Sequence, residues 1–269
     1  MSARKASSGE ARARVSRRTV LTIGGLTIAA GYLMDPARQA ARSPDTSRSA
    51  IASSQPPEIT AKAEVSRGSA RRGADDSPMF YLADGPKAIA LTIDDGPDPL
   101  YTPQVLQLLA KYQVTATFSM IGTEVDAHPG VVRDVAAAGH VIANHTWTHV
   151  DLAPLKPAAV ADQMNRTTDA IRTVTGKAPT LFRAPYGAWS PAVLRECATT
   201  GMAPLDWSVD PRDWARPGVS SIVRNIMRNT RTGSIILEHD GGGNRSQTVA
   251  ALKIVLPRLL AAGYQFRTP

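Results

Sequence analysis

From residue 88 onward, short apolar runs alternate with longer segments whose apolar residues recur at helical spacing. The runs predict seven strands, at 88–93, 115–119, 140–143, 180–182, 202–206, 235–238 and 264–266. Between them the spacing predicts helices over 103–112, 129–138, 157–174, 191–199, 220–229 and 248–262. Several of these open on proline, which suits a first helical turn. Several close on glycine, at 139, 176, 201 and 263, where a left-handed cap is needed. Regular strand–helix alternation argues for an α/β fold with a parallel sheet, open or closed into a barrel.

The polar residues gain meaning from this map. Asp94 and Asp95 follow the first strand, and His145 and His149 follow the third. Arg183 follows the fourth, Asp210 and Asp213 the fifth, and His239 the sixth. All fall at carboxyl ends, the face where parallel α/β folds build their sites. Structural charges scattered for solubility would not choose one face.

Two imidazoles four residues apart share a helix face or converge from a tight loop, and they suit zinc or a similar metal. An H-x-x-x-H pair alone is weak, with a surface role an even competitor. Asp95 added as an oxygen donor makes a His₂Asp set with positions open to water and substrate. Asp94 is then the carboxylate facing the water, whose pKa a metal brings to about 7. A plain turn explains one Asp before Gly96-Pro97, but not two. His239 is the candidate proton donor, with Leu237 on the same strand face as an apolar floor and Glu238 facing away. A core histidine is the competing reading. Asp213 is placed to orient His239, unless it is only a turn residue. Arg183 is placed to pair with Asp94 and hold it ionised. Its loop, Tyr186 included, offers main-chain N–H groups to an oxyanion. Of Trp189, Trp207 and Trp214, an exposed one would stack on a sugar, while Trp147 is expected to pack beneath the metal loop. The segments 122–128 and 150–156 are expected as loops that shape the groove.

Charge narrows the partners. The chain has 269 residues and a formal net charge of +8. Residues 1–78 hold 13 Lys/Arg against 7 Asp/Glu, and the rest 18 against 16. The positive excess is therefore a property of the N-terminal segment, and nucleic-acid binding is not indicated. Residues 1–34 carry paired arginines at 17 and 18 before an apolar stretch over 20–34, as in a twin-arginine export signal. As a helix that stretch is ~22 Å long, short of the ~30 Å hydrocarbon core, so cleavage is favoured over anchoring. Residues 35–78, rich in Ser, Ala, Arg and Pro, read as a disordered linker. The folded domain is expected over 79–269, exported from the cytoplasm and monomeric, with membrane or wall association through the basic segment. Cys197 is the sole cysteine, so no intrachain disulfide forms, and a buried thiol is expected.

Five ordered segments resemble the polysaccharide deacetylases of the NodB-homology type, carbohydrate esterase family 4. They are Thr92-Ile93-Asp94-Asp95-Gly96-Pro97, His145-Thr146-Trp147-Thr148-His149, Arg183-Ala184-Pro185-Tyr186-Gly187, Asp210-Pro211-Arg212-Asp213-Trp214 and Ile236-Leu237-Glu238-His239-Asp240. The resemblance implies a distorted (β/α)7 barrel with zinc, cobalt or another divalent ion on Asp95, His145 and His149. It implies Asp94 as base tuned by Arg183, and His239 as acid tuned by Asp213. It also implies an oxyanion N–H at Tyr186 and an acetyl-methyl pocket lined by Leu237 and Trp214. The expected reaction removes N-acetyl groups from N-acetylglucosamine polymers such as peptidoglycan or chitin-like glycans. Acetylxylan O-deacetylation is the nearest alternative. A catalytically silent sugar-binding domain is the alternative of another class, disfavoured because a lectin needs neither Asp94 nor His239.

Overall fold

A computed structural model describes residues 77–269. The expected export segment and nearly all of the expected linker lie outside the described residues. Seven parallel strands form one sheet: β1 (Ala88–Asp94), β2 (Thr117–Met120), β3 (Val141–Asn144), β4 (Leu181–Phe182), β5 (Ala203–Pro204), β6 (Ile235–His239) and β7 (Gln265–Phe266). Their order is β5-β4-β3-β2-β1-β6, with β7 joined to β1. The helices are α1 (Thr102–Tyr112), α2 (Gly122–Ala127), α3 (Pro129–Ala137), α4 (Pro157–Thr175), α5 (Pro191–Thr200), α6 (Val219–Asn229) and α7 (Ser246–Ala261). The segment 122–128, expected as a groove loop, is instead α2 and the turn after it. At six residues with one buried aliphatic, Val125, it leaves almost no periodic signature.

The sheet curls until its edges almost meet, and two irregular segments fill the seam between β5 and β6. Low in the barrel, Met79 N–H donates to the Pro204 carbonyl at 2.9 Å and Leu82 N–H to that of Gly233 at 2.8 Å. Higher up, Val209 N–H donates to the Ile235 carbonyl and Leu237 N–H to that of Val209. β7 completes the other edge of β1 below β2, pairing only with Ala88 and Ile89.

β1 is buried along its whole length, as a central strand covered on both faces should be. Its two faces differ, because side chains alternate along a strand. Ile89, Leu91 and Ile93 join the large core beneath the helices, together with Phe118, Met120, Leu252 and Leu256. Ala90 faces inward with Ala143, Leu181, Leu205 and Ile235. Further along that inner face come Thr92 and Asp94, so the barrel interior passes from small apolar groups to polar ones as it nears the mouth. Cys197 is buried in a third cluster between α4 and α5. Burial pushes its thiol up to about 12.

Candidate active site

β1 and β6 run in register, with Asp94 beside His239. Both side chains point into the mouth, Asp94 from the face of Thr92 and His239 from that of Leu237. Leu237, two residues deeper on the same face, is buried. Glu238, on the helix-facing side of β6, is fully buried without a hydrogen-bond donor of its own. Burial and the nearby Asp213 charge hold its carboxyl well above the usual range.

Arg183 is a fully buried guanidinium. It donates through one nitrogen to Asp94 Oδ1 at 2.8 Å and Thr92 Oγ1 at 2.7 Å, and through the other to the Asp206 carbonyl at 2.8 Å. That fork fixes Asp94 with Oδ1 engaged and Oδ2 turned toward His145, 3.8 Å from its Nε2.

The loop after β3 brings the two histidines together without a helix. Thr146 and His149 both take positive φ, 66° and 55°. Fixed hydrogen bonds hold that path: Asn144 Oδ1 accepts from Thr146 N–H, and Gln163 Oε1 on α4 accepts from Trp147 and Thr148 N–H. The start of α2 supports it from below, as Gly122 N–H donates to the Thr146 carbonyl. The Trp147 ring lies so close to Gly122 that a Cβ there would overlap it.

The Nε2 atoms of His145 and His149 lie 3.5 and 3.2 Å from Asp95 Oδ1. This oxygen is buried and has no hydrogen-bond partner. His145 Nδ1 faces the Arg183 carbonyl at 2.8 Å, which makes it the N–H and leaves the lone pair on Nε2. His149 Nδ1 faces the Tyr186 hydroxyl at 3.2 Å. Burial, and next the neighbouring His145, lower the His149 pKa against the opposing pull of Asp95 and Asp94, favouring a neutral ring. Asp95 falls to about 2: burial alone would raise it, but His145, His239 and His149 outweigh that. An ionised carboxylate and two lone pairs aimed at one point form a donor set that fits a divalent metal.

Across the mouth, Asp213 accepts three hydrogen bonds. They come from His239 Nδ1 at 2.8 Å, His239 N–H at 2.9 Å and the Thr248 hydroxyl at 2.7 Å. Burial lowers the His239 pKa, but the Asp213 bond and charge, helped by Asp94 and Asp95, turn the net shift upward. His239 Nε2 is thus the ring nitrogen without a protein partner among the described residues.

Tyr186 sits at positive φ, 61°, with its side chain exposed at the mouth. Its N–H meets no protein acceptor among the described residues. Trp214 is the exposed tryptophan. Trp189 instead packs on Phe182 and donates to Asp206, while Trp207 is half-buried against Gly187 and Arg183. The ten residues to which the resemblance gives roles therefore come from strand ends and loops on one side of the sheet. The sequence reading gave no role to Arg245, nor to Asp240, which closes the fifth of the quoted segments. Arg245 is buried beside Asp95, and Asp240 is fully buried, accepting from the Thr102 hydroxyl at 2.6 Å.

Comparison with known proteins gives this geometry a family. The polysaccharide deacetylase profile matches residues 82–205, which include both aspartates, both histidines of the loop and Arg183. The chitooligosaccharide deacetylase of Bradyrhizobium sp. (strain ANU 289) is 44% identical over 193 residues, 67% of this chain and 88% of that protein. A peptidoglycan-N-acetylglucosamine deacetylase of Bacillus cereus is 45% identical over 184 residues, 68% and 86% of the two chains. The crystal structure of a peptidoglycan N-acetylglucosamine deacetylase in complex with a naphthyl N-oxidanyl-benzamide superposes with a TM-score of 0.68 at 34% identity. That match covers 70% of this chain and 89% of that one.

Proposed function

The chain belongs to the polysaccharide deacetylase family, and on that premise we propose that it is a metal-dependent N-deacetylase of glycans containing N-acetylglucosamine. The observation that carries the metal is Asp95 Oδ1, buried, unpartnered and facing two imidazole Nε2 atoms. A His₂Asp set favours zinc, with cobalt or another divalent ion as substitutes. Bound there, the metal supplies Lewis-acid polarisation of the acetyl carbonyl and a more acidic water.

The protein groups divide the remaining work. Asp94 Oδ2 takes a proton from the attacking water as its oxygen bonds to the acetyl carbon. The Tyr186 N–H donates to the oxygen on which charge develops. His239, protonated at Nε2, gives that proton to the sugar nitrogen as the carbon–nitrogen bond breaks, so acetate and a free amine leave. Asp213 holds the ring in place and favours its charged form. Leu237 and Trp214 accommodate the acetyl methyl group. All proposed groups come from one chain, so a monomer suffices. The basic N-terminal segment with its paired arginines supports an exported, envelope-associated enzyme.

Acetate release tests this reading, with chitooligosaccharides, peptidoglycan and acetylated xylan as substrates before chelation, after it, and after zinc is restored. Zinc-restored release from the amide substrates is expected. Release from xylan alone would transfer the assignment to O-deacetylation, and zinc binding without release from any would favour a silent binding domain.

A further inference from the structure

The Gly-rich loop after β6 is pressed against the first strand's end. A Cβ on Gly241 would overlap the Asp95 carbonyl oxygen. A Cβ on Gly242, which has φ +71°, would stand 2.9 Å from Asp95 Oδ2 and 3.1 Å from an Arg245 guanidinium nitrogen. Those two glycines leave room for one side chain to reach Asp95 from behind, and Arg245 occupies it.

Arg245 sits just before α7, its carbonyl accepting from Val249 N–H in the first helical turn. Its side chain turns back from the helix and is 94% buried (relative exposure 6%). Nε donates to the Gly241 carbonyl at 2.5 Å, one terminal nitrogen to Gly242 at 3.2 Å and the other to Trp214 at 3.3 Å. These acceptors are neutral. The one carboxylate within ion-pair reach, among the described residues, is Asp95, with Oδ2 3.8 Å from the guanidinium. Asp95 therefore has two differently engaged oxygens: Oδ1 faces His145 and His149, and Oδ2 faces Arg245.

We propose that Arg245 is a positioning residue for the metal site: its guanidinium holds Asp95 Oδ2, so that Oδ1 alone is presented to the metal alongside the two imidazoles. This rests on the reading that Asp95, His145 and His149 bind a divalent ion. The same fork ties the Trp214 carbonyl to Asp95, so the wall of the acetyl pocket and the metal ligand share one support. A guanidinium beside a metal ligand also repels a dication. At this site orientation outweighs repulsion, because the charge lies on the far oxygen and the fork is fixed by three carbonyls.

The test measures zinc affinity by chelator competition for the full chain and its Arg245→Met, Arg245→Lys and His149→Ala variants, with apo-protein melting temperatures alongside. Wild type is expected to bind one zinc, and His149→Ala to lose it. Arg245→Met is expected to bind about 10–100-fold more weakly at an unchanged apo melting temperature, the range typical of outer supports of metal ligands. Arg245→Lys, which keeps charge and stem without the fork, should fall between, and it carries the test if the Met variant does not fold. Unchanged affinity in both would overturn the proposal and leave Arg245 as a staple of its loop. Tighter binding in Arg245→Met would also overturn it, because repulsion would then dominate. If wild type bound no zinc, the metal reading itself would fail and take this proposal with it.

Discussion

Asp94 and His239 stand side by side on neighbouring parallel strands, yet the two halves of the mouth support them differently. On the β1 side a cation arrives from across the barrel and takes one carboxylate oxygen, leaving the other directed at the metal loop. On the β6 side an anion grips both the backbone and the ring of the histidine and also changes its protonation. The first is a buried ion pair that orients a carboxylate, and the second grips both ring and backbone and raises the pKa of the ring. Deleting a partner should therefore give different kinetic signatures on the two sides.

The largest effects should come from the central pair. Asp94→Asn and His239→Ala are each expected to lower acetate release by about 10²–10⁴-fold, the usual worth of general acid–base groups, with zinc stoichiometry unchanged. Loss of zinc from Asp94→Asn would place that residue among the ligands instead.

Asp213→Asn sharpens the contrast. The His239 pKa is raised in the fold, so the acid form persists to higher pH than in a free histidine. Without the Asp213 charge the alkaline limb of kcat/KM should move to lower pH. The stability counterpart has the same sign: the His239–Asp213 contribution is fully present below the unfolded histidine value of 6.5 and fades as pH rises through the folded one. Wild type should thus lose its stability advantage over Asp213→Asn in that window, read from denaturant melts. An alkaline limb that stays put in the variant would remove Asp213 from that role.

A smaller effect tests the interior behind the pair. Burial, the leading cause, raises Asp240 to about 7 against the pull of its Thr102 bond. A raised carboxylate makes the fold bind more protons than the unfolded chain, so it costs stability as pH climbs from about 4 to 7. In the apo-protein, Asp240→Asn should flatten that part of the stability–pH curve. Smallest of all, Cys197 should resist thiol reagents in the native state and react only on unfolding, because burial holds its thiol near 12.

How much of this was legible depended on whether the information was local. All seven strands showed as short apolar runs; β1, buried along its whole length, was the plainest, while β5 and β7 are two-residue pairings that stay half-buried or exposed. Helix starts at Pro129, Pro157 and Pro191 were equally plain. α2 was not, being one short turn whose burial rests on Gly122 and Val125. The four-residue spacing of His145 and His149 suited a helix as well as a loop, and only the positive φ of Thr146 and His149 decides for the loop. Arg245 was out of reach for another reason. Its partner is 150 positions earlier, and its placement depends on two glycines that let one loop lie against another.

One residue performs two separable jobs, and this sets what mutation can do to the family's site here. Arg183 orients His145 through its main-chain carbonyl, which every amino acid possesses, and braces Asp94 through its guanidinium, which only arginine offers. A replacement that keeps the backbone path erases the second job and spares the first. Replacing Arg183 is thus expected to remove the brace on the proposed base while leaving the proposed metal ligands in their places.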